Sequence, residues 1–203
     1  MNIGGQIFAH FYDRIFERTE RAGLTDMRRE LLSYATGDVL EIGAGTGLNL
    51  SLYPKAIETL TLAEPEGPML KQLSRKVDGS VLQVVEAPAE ELPFSVETFD
   101  TVVSTLVLCT VNDPARALSE IRRVLRPGGN LLFLEHVRGE GSIVKWQDRL
   151  NGINQVVGHG CNCNRDTLAS IRAAGFTVLR VSNDKLPKAP AHLRPLIWGI
   201  AQA

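Results

Sequence analysis

Five short apolar runs, separated by stretches of helical pattern, constrain this chain more than any other feature. They are Val39–Ile42, Thr59–Ala63, Val81–Val85, Thr101–Leu106 and Leu131–Leu134. In each, apolar positions outnumber polar ones, the pattern of strands covered on both faces. Between them Pro68–Lys76 reads as helix, and Pro114–Leu125 carries Ala117, Leu118, Ile121, Val124 and Leu125 on one stripe. Asn112-Asp113-Pro114 supplies a capping side chain and a first-turn proline, and Arg126-Pro127-Gly128-Gly129 closes that helix with a turn. Alternating strand and helix predicts an α/β fold, a parallel sheet and right-handed crossovers. After Leu134 the pattern changes. Asp166–Ala174 reads as a helix stopped by Gly175, and Phe176–Val181 alternates like a strand. Pro187, Pro190 and Pro195 interrupt the chain before Leu196–Ala201, which reads as a last strand. Two strands with no helix between them predict an antiparallel addition at the sheet edge.

The chain has 203 residues and a net charge of -1, which suits one core and gives no basic surface for nucleic acid. Hydrophobic residues at 44% and charged residues at 22% exclude a disordered or fibrous chain. No apolar run approaches the roughly 18 residues of a spanning helix. The N-terminal stretch carries His10, Asp13 and Arg14 where a signal peptide is apolar, so a cytoplasmic protein is expected. The cysteines Cys109, Cys161 and Cys163 are odd in number and read as reduced thiols. Asn49-Leu50-Ser51 matches a glycosylation sequon, which has no meaning without a secretory signal.

The first run leads into Val39-Leu40-Glu41-Ile42-Gly43-Ala44-Gly45-Thr46-Gly47, a strand, a glycine turn and a helix expected to start at Leu48. Glycines at alternate positions let backbone approach a ligand at the carboxyl end of the strand. A phosphate loop would end in Gly-Lys-Ser/Thr, which is absent. A dinucleotide fingerprint places its third glycine where Leu48 stands, and a leucine crowds a pyrophosphate. Glu64 ends the second run about 20 residues on, where a carboxylate accepts hydrogen bonds from ribose hydroxyls. Turn and acid together read as an adenosine site without a diphosphate.

VLEIGAGTG, Glu64, AEELPF (Ala89 to Phe94), FDTVVSTLVL (Phe99 to Leu108) and RVLRPGG (Arg123 to Gly129) resemble a class I S-adenosylmethionine-dependent methyltransferase from about Val39 to Val137. TLVLCTV (Thr105 to Val111), LEHV (Leu134 to Val137), the Trp146 segment, GCNCNRDT (Gly160 to Thr167) and RPLIWGIA (Arg194 to Ala201) are similar to the methyltransferase-like 7 group. These are membrane-associated thiol S-methyltransferases in animals. The resemblance implies a Rossmann-like fold, with a seven-stranded, mostly parallel sheet, an antiparallel edge strand and helices on both faces. It implies one domain over 1–203, divided into an N-terminal helical lid or packing segment (1–36), a cofactor-binding core (37–137) and an acceptor-side segment with the last strands (138–203). The cofactor implied is S-adenosyl-L-methionine. Glu41, Gly43, Ala44, Gly45 and Gly47 would hold its methionine part, Glu64 its ribose, Pro65, Ala89 and Glu90 its adenine, and Thr105 and Leu106 would face the sulfonium. The hydrophobic anchor of the animal proteins has no counterpart here, so membrane residence is not expected.

Around the acceptor, His136 after the fifth run reads either as a general base or as a hydrogen-bonded structural histidine. Cys109 reads as pocket lining or as a small buried hydrophobe. His159-Gly160-Cys161-Asn162-Cys163 has Cys-x-Cys spacing with no second pair, so no metal is expected. Cys161 there reads as a contributor to the acceptor pocket, with Asn164 capping the following helix. Ile7, Phe8, Phe11, Tyr12, Ile15 and Phe16 share a helical face. That helix reads as a lid with Tyr12 near the donor or as core packing. Its mixed-charge polar side argues against membrane docking. Trp146, Asp148 and Asn151 lie in a helix expected over the acceptor side, and read either as substrate contacts, Trp146 foremost, or as surface or core packing.

The function expected is direct, in-line methyl transfer to a small, apolar thiol. An activated methyl needs orientation rather than covalent help, and a thiol of pKa about 8.5 needs only modest electrostatic assistance to ionise. The alternative acceptors are a lipid headgroup amine or a quinone-like ring. A non-catalytic cofactor-binding module is the alternative of another class, and a nicotinamide oxidoreductase conflicts with the glycine spacing. Nucleic-acid amino methylation is disfavoured, because Ser104-Thr105-Leu106-Val107 stands where such relatives carry an Asp/Asn-Pro-Pro-aromatic turn.

Overall fold

The computed structural model describes residues 14, 17–77, 82–158 and 160–203. Tyr12, the rest of the proposed lid face, Val81 and His159 lie outside them. Among the described residues, seven strands form one sheet: β1 (Asp38–Ile42), β2 (Thr59–Ala63), β3 (Leu82–Val85), β4 (Phe99–Thr105), β5 (Leu125–His136), β6 (Thr177–Lys185) and β7 (Pro195–Gln202). Their order is β3-β2-β1-β4-β5-β7-β6. The first five are mutually parallel, and β7 runs antiparallel to both β5 and β6. The antiparallel addition at the edge is therefore a hairpin-like pair in which β7 inserts beside β5 and β6 lies outermost. Pro195 opens β7, where its missing N–H costs the ladder least.

Alternate residues of each strand feed opposite faces, as the pleat requires. Leu40, Ile42, Val102, Leu131 and Phe133 pack with Ala117, Leu118 and Ile121 of α3 (Pro114–Val124) and with Ile171 of α5 (Thr167–Ala173). Val39, Leu60, Leu62, Val103, Leu132 and Leu134 pack on the other face, with Leu31 and Leu32 of α1 (Thr25–Leu32) and Leu73 of α2 (Gly67–Lys76). This is the two-sided burial that the apolar runs anticipate. α3 begins as expected, with the Asp113 carboxylate accepting from the Ala115 and Arg116 N–H groups.

Three local expectations need correction. No α-helix starts at Leu48. The glycine turn runs into a 3-10 turn over Leu50–Leu52, because Pro54 forces Tyr53 to ψ 139°, out of the helical region. Arg126–Gly129 is not a free turn after α3. These residues belong to β5 as a bulge, since Phe99 pairs with Leu125 and Thr101 with Asn130. Asn164 does not cap α5. Its amide donates to Asp148, while Asp166 accepts from the Ala169 N–H as the cap.

α4 (Ser142–Val157) turns its polarity inside out. Gln147 and Asn154 are buried, whereas Trp146, Ile153, Val156 and Val157 are exposed. The Gln147 amide binds three carbonyls, those of Val137, Cys163 and His192, and its oxygen accepts from the Gly139 N–H. One side chain thus ties three loops to the helix.

Candidate active site

The strand order reverses between β1 and β4, and in open α/β sheets a ligand crevice forms outside the carboxyl ends at such a point. The two chain segments there are the glycine turn after β1 and the Thr105–Cys109 loop after β4. They touch: a Cβ on Gly43 would stand 2.5 Å from Val107 Cγ2, and Gly43 has φ +56°. Gly45 also has φ +56°, but a Cβ there would meet nothing nearer than Met69 Sδ at 3.8 Å. Its side-chain direction is open space. The cavity at this point is lined by Arg28, Glu41, Gly43, Gly45, Asn49 and Thr105, among others.

Four buried polar side chains from separate segments meet in this cavity. Arg28 donates to Thr105 Oγ1 at 2.8 Å, to Asn49 Oδ1 at 3.1 Å and to Glu20 at 3.1 Å. Asn49 Nδ2 donates to Glu41 Oε1 at 2.8 Å and to Thr105 Oγ1 at 3.0 Å. The Tyr53 hydroxyl donates to Glu41 Oε2 at 2.7 Å. Burial is the main cause that pushes the Glu41 carboxyl up to about 7, against hydrogen bonds from Tyr53 and Asn49 and the charge of Arg28. Sequence reasoning found Glu41 and Thr105 but missed Arg28, Asn49 and Tyr53. The Arg28 signal was legible, since Leu24, Arg28, Leu31 and Leu32 share one apolar helical stripe into which a lone arginine intrudes.

Glu64 closes the turn from the side of β2. Its carboxylate accepts from the Gly45 N–H at 2.7 Å and from the Glu66 N–H at 2.8 Å. Burial raises its pKa, with the two backbone donors opposing. Pro65 is exposed beside it and Ala44 is buried in the turn. Ala89 is buried, and the Glu90 carboxylate accepts from the Asn112 N–H at 2.8 Å, tying this segment to the end of the β4 loop. Leu106 sits at φ +62°, a backbone strain at the carboxyl end of β4 that favours a functional site.

Glu135, which the sequence pattern did not single out because it stands as one polar residue at the end of an apolar strand, organises the same loop. Fully buried, it accepts from Ser104 Oγ at 2.7 Å, the Val107 N–H at 3.1 Å and the Cys109 N–H at 3.2 Å. Those bonds carry Cys109 to His136 at the end of β5, where Cys161 joins them from the loop before α5. His136 Nδ1 lies 3.8 Å from Cys109 Sγ and 3.6 Å from Cys161 Sγ, and the sulfurs are 3.9 Å apart. All three are buried, and all three cysteines are free thiols. The contact with Cys109, aided by His136, lowers the Cys161 thiol to about 5, and the Cys109 thiol is pushed up. Cys163 is turned elsewhere, accepting from Asn154 Nδ2. Thus the structure brings Cys109, His136 and Cys161 together. It does not bring Trp146 into their contact, since that ring is 56% exposed on α4.

A methyltransferase-domain family model matches residues 40–133. The human thiol S-methyltransferase TMT1A is 34% identical over 170 residues, covering 80% of this chain and 69% of the relative. The human thiol S-methyltransferase TMT1B is 35% identical over 190 residues, covering 86% and 77%. The fold matches that of a Thermotoga maritima S-adenosylmethionine-dependent methyltransferase, a possible histamine N-methyltransferase, with TM-score 0.73, 23% identity and 97% of each chain covered. The family match, these relatives and the fold define an S-adenosylmethionine-dependent methyltransferase of class I, whose methyl donor is S-adenosyl-L-methionine. Within that class, the chain belongs to the family of the thiol S-methyltransferases TMT1A and TMT1B. No helix among the described residues is long and apolar enough to cross a membrane.

Proposed function

We propose that this enzyme transfers a methyl group from S-adenosyl-L-methionine to a small, apolar thiol. The observation that carries the reading is the Thr105–Cys109 loop, one end of which lines the polar cavity while the other enters the cluster of two sulfurs and an imidazole. The likeness to two thiol S-methyltransferases over 80% or more of the chain supports the same acceptor.

The cavity residues fit the donor. Gly45 leaves its side-chain direction open, Glu64 offers a carboxylate at the turn, and Arg28, Glu41 and Asn49 supply a guanidinium, a carboxyl and an amide. Gly43, Ala44, Gly45, Gly47 and Glu41 would hold its methionine part, Glu64 its ribose hydroxyls, and Pro65, Ala89 and Glu90 would border the adenine. When bound, the cofactor supplies an electrophilic methyl group. The rest of the work is orientation, which can lower the barrier by about 7–11 kcal/mol when reacting atoms are held in near-attack geometry. Thr105 and Leu106 connect donor cavity and acceptor cluster through one short stretch of backbone that Glu135 clamps. The acceptor thiol must ionise, and the cluster around His136 is placed to take or disperse that proton. Glu135 is not available for this role, because Ser104 and two backbone N–H groups occupy its oxygens.

The test is S-adenosylhomocysteine release from purified protein with an alkyl thiol, an alkyl amine, a phenol or no acceptor. Thiol-dependent release is expected. Release with the amine or phenol but not the thiol would overturn the reading in favour of a headgroup amine or ring acceptor.

A further inference from the structure

We propose that Cys109, His136 and Cys161 form a zinc site whose fourth ligand is the acceptor thiolate. The last clause rests on the thiol reading above; the site itself does not. With Zn–S about 2.3 Å and Zn–N about 2.0–2.1 Å at tetrahedral angles, two sulfurs lie about 3.8 Å apart and sulfur and nitrogen about 3.6 Å apart. The cluster has a sulfur–sulfur edge of 3.9 Å and sulfur–nitrogen edges of 3.8 and 3.6 Å. Three donor atoms from three parts of the chain therefore already form one face of a tetrahedron of the right size.

Two further observations point to a ligand. The residues that carry two of the donor atoms are held through their backbones, from outside the triangle. The Cys109 N–H is held by Glu135, the Cys109 carbonyl accepts from the Asn162 N–H at 2.8 Å, and the His136 carbonyl accepts from Thr167 Oγ1. The imidazole is over nine-tenths buried and turns Nδ1 onto both sulfurs. A single Nδ1 lone pair accepts from only one thiol at a time, whereas a cation at the centre satisfies all three donors. Two thiolates and one imidazole are a donor set for zinc, and three protein ligands leave one position open. Binding releases the thiol protons to solvent and changes no oxidation state. A thiol joining the fourth position ionises there, so His136 serves as a ligand and the metal stabilises the attacking thiolate. The Cys-x-Cys spacing hid this site, because only one cysteine of that pair belongs to it.

The experiment is a cobalt(II) titration of the full chain after chelator treatment, read by thiolate-to-cobalt charge-transfer absorbance. One equivalent with the intensity of two thiolates is expected, bleached by zinc. Cys161→Ser and Cys109→Ser should each halve that intensity, and His136→Ala should weaken cobalt binding at least about tenfold. Cys163→Ser should leave the band intact. S-Adenosylmethionine binding by calorimetry reports folding of each variant, and Cys161→Ser carries the test should the fully buried Cys109→Ser fail to fold. No band in the wild type, or a band unchanged in both Cys161→Ser and His136→Ala, overturns the site. Adding an alkyl thiol to the cobalt protein should raise the band by about half, from two thiolates to three. An unchanged band overturns the acceptor clause while the three-ligand site stands. A protein that binds cobalt through this triad yet methylates no thiol overturns the function proposed above and not the site.

Discussion

Replacing Glu41 with glutamine is the most informative single change at the donor cavity, because its effect should depend on pH with a sign fixed by burial. The Glu41 carboxyl rises from an ordinary value of 4.5 to about 7 in the folded protein. A carboxyl whose pKa is raised on folding stabilises the fold fully below its unfolded value and loses that contribution as pH rises through the folded value. The window is therefore from about pH 4.5 to above pH 7. At about 1.36 kcal/mol per pH unit, the whole rise corresponds to about 3 kcal/mol, of which about 2 to 3 kcal/mol falls between pH 5 and pH 8. Glu41→Gln keeps the shape and an acceptor for Asn49, while the Tyr53 hydroxyl can rotate to accept from the new amide. The variant carries no titrating proton. Its stability relative to wild type should accordingly rise by about 2 to 3 kcal/mol from pH 5 to pH 8, measured by urea denaturation of both proteins at both pH values. Equal differences at the two pH values would refute the claim that an ionising carboxylate is buried there. A difference of opposite sign would mean that the charges and hydrogen bonds from Arg28, Asn49 and Tyr53 outweigh desolvation.

Changes at four further positions test the rest of the cavity. Arg28→Met removes three donors from a buried network and should cost about 3–5 kcal/mol in urea denaturation, and Arg28→Lys should not restore it. Gly45→Ala meets no atom closer than 3.8 Å, so its thermal stability should fall only by the left-handed backbone cost of about 1–2 kcal/mol. Its methyl enters the donor cavity, and donor affinity by calorimetry should fall at least about tenfold; Gly43→Ala, at 2.5 Å from Val107, should instead lose stability first. Glu64→Ala should weaken donor binding by about 1–3 kcal/mol, the scale of a charge-assisted hydrogen bond, and an unchanged calorimetric affinity would remove Glu64 from the site.

Much of the fold was legible locally, and the failures have local causes. The apolar runs marked five strands because parallel strands bury both faces and leave a continuous hydrophobic signature. The Asp113 cap was legible because capping uses groups two or three residues apart. The helix expected at Leu48 does not form because Pro54 holds Tyr53 out of the helical region, and the glycine spacing carries no sign of that. Arg126–Gly129 misled because the same residues make a free turn or a strand bulge, and only the pairing partners at Phe99 and Thr101 distinguish them.

The amino-acid sequence by itself determined the class of protein: the alternation, the glycine turn and the acid after β2 admit few folds and read as an adenosine site, and the motifs that resemble a methyltransferase family name the donor. Each of those signals repeats over a few residues or spans one strand–helix unit, so periodicity and spacing carry it. Tertiary structure alone decided what surrounds the reaction. Arg28 meets Thr105 across 77 positions, Glu135 clamps Cys109 across 26, and Cys161 reaches Cys109 across 52. Such meetings depend on strand order, which sets the carboxyl ends of β1, β4 and β5 side by side in the middle of the sheet. No local pattern encodes them, because a side chain's partners across a sheet are chosen by the register of strands far away in sequence.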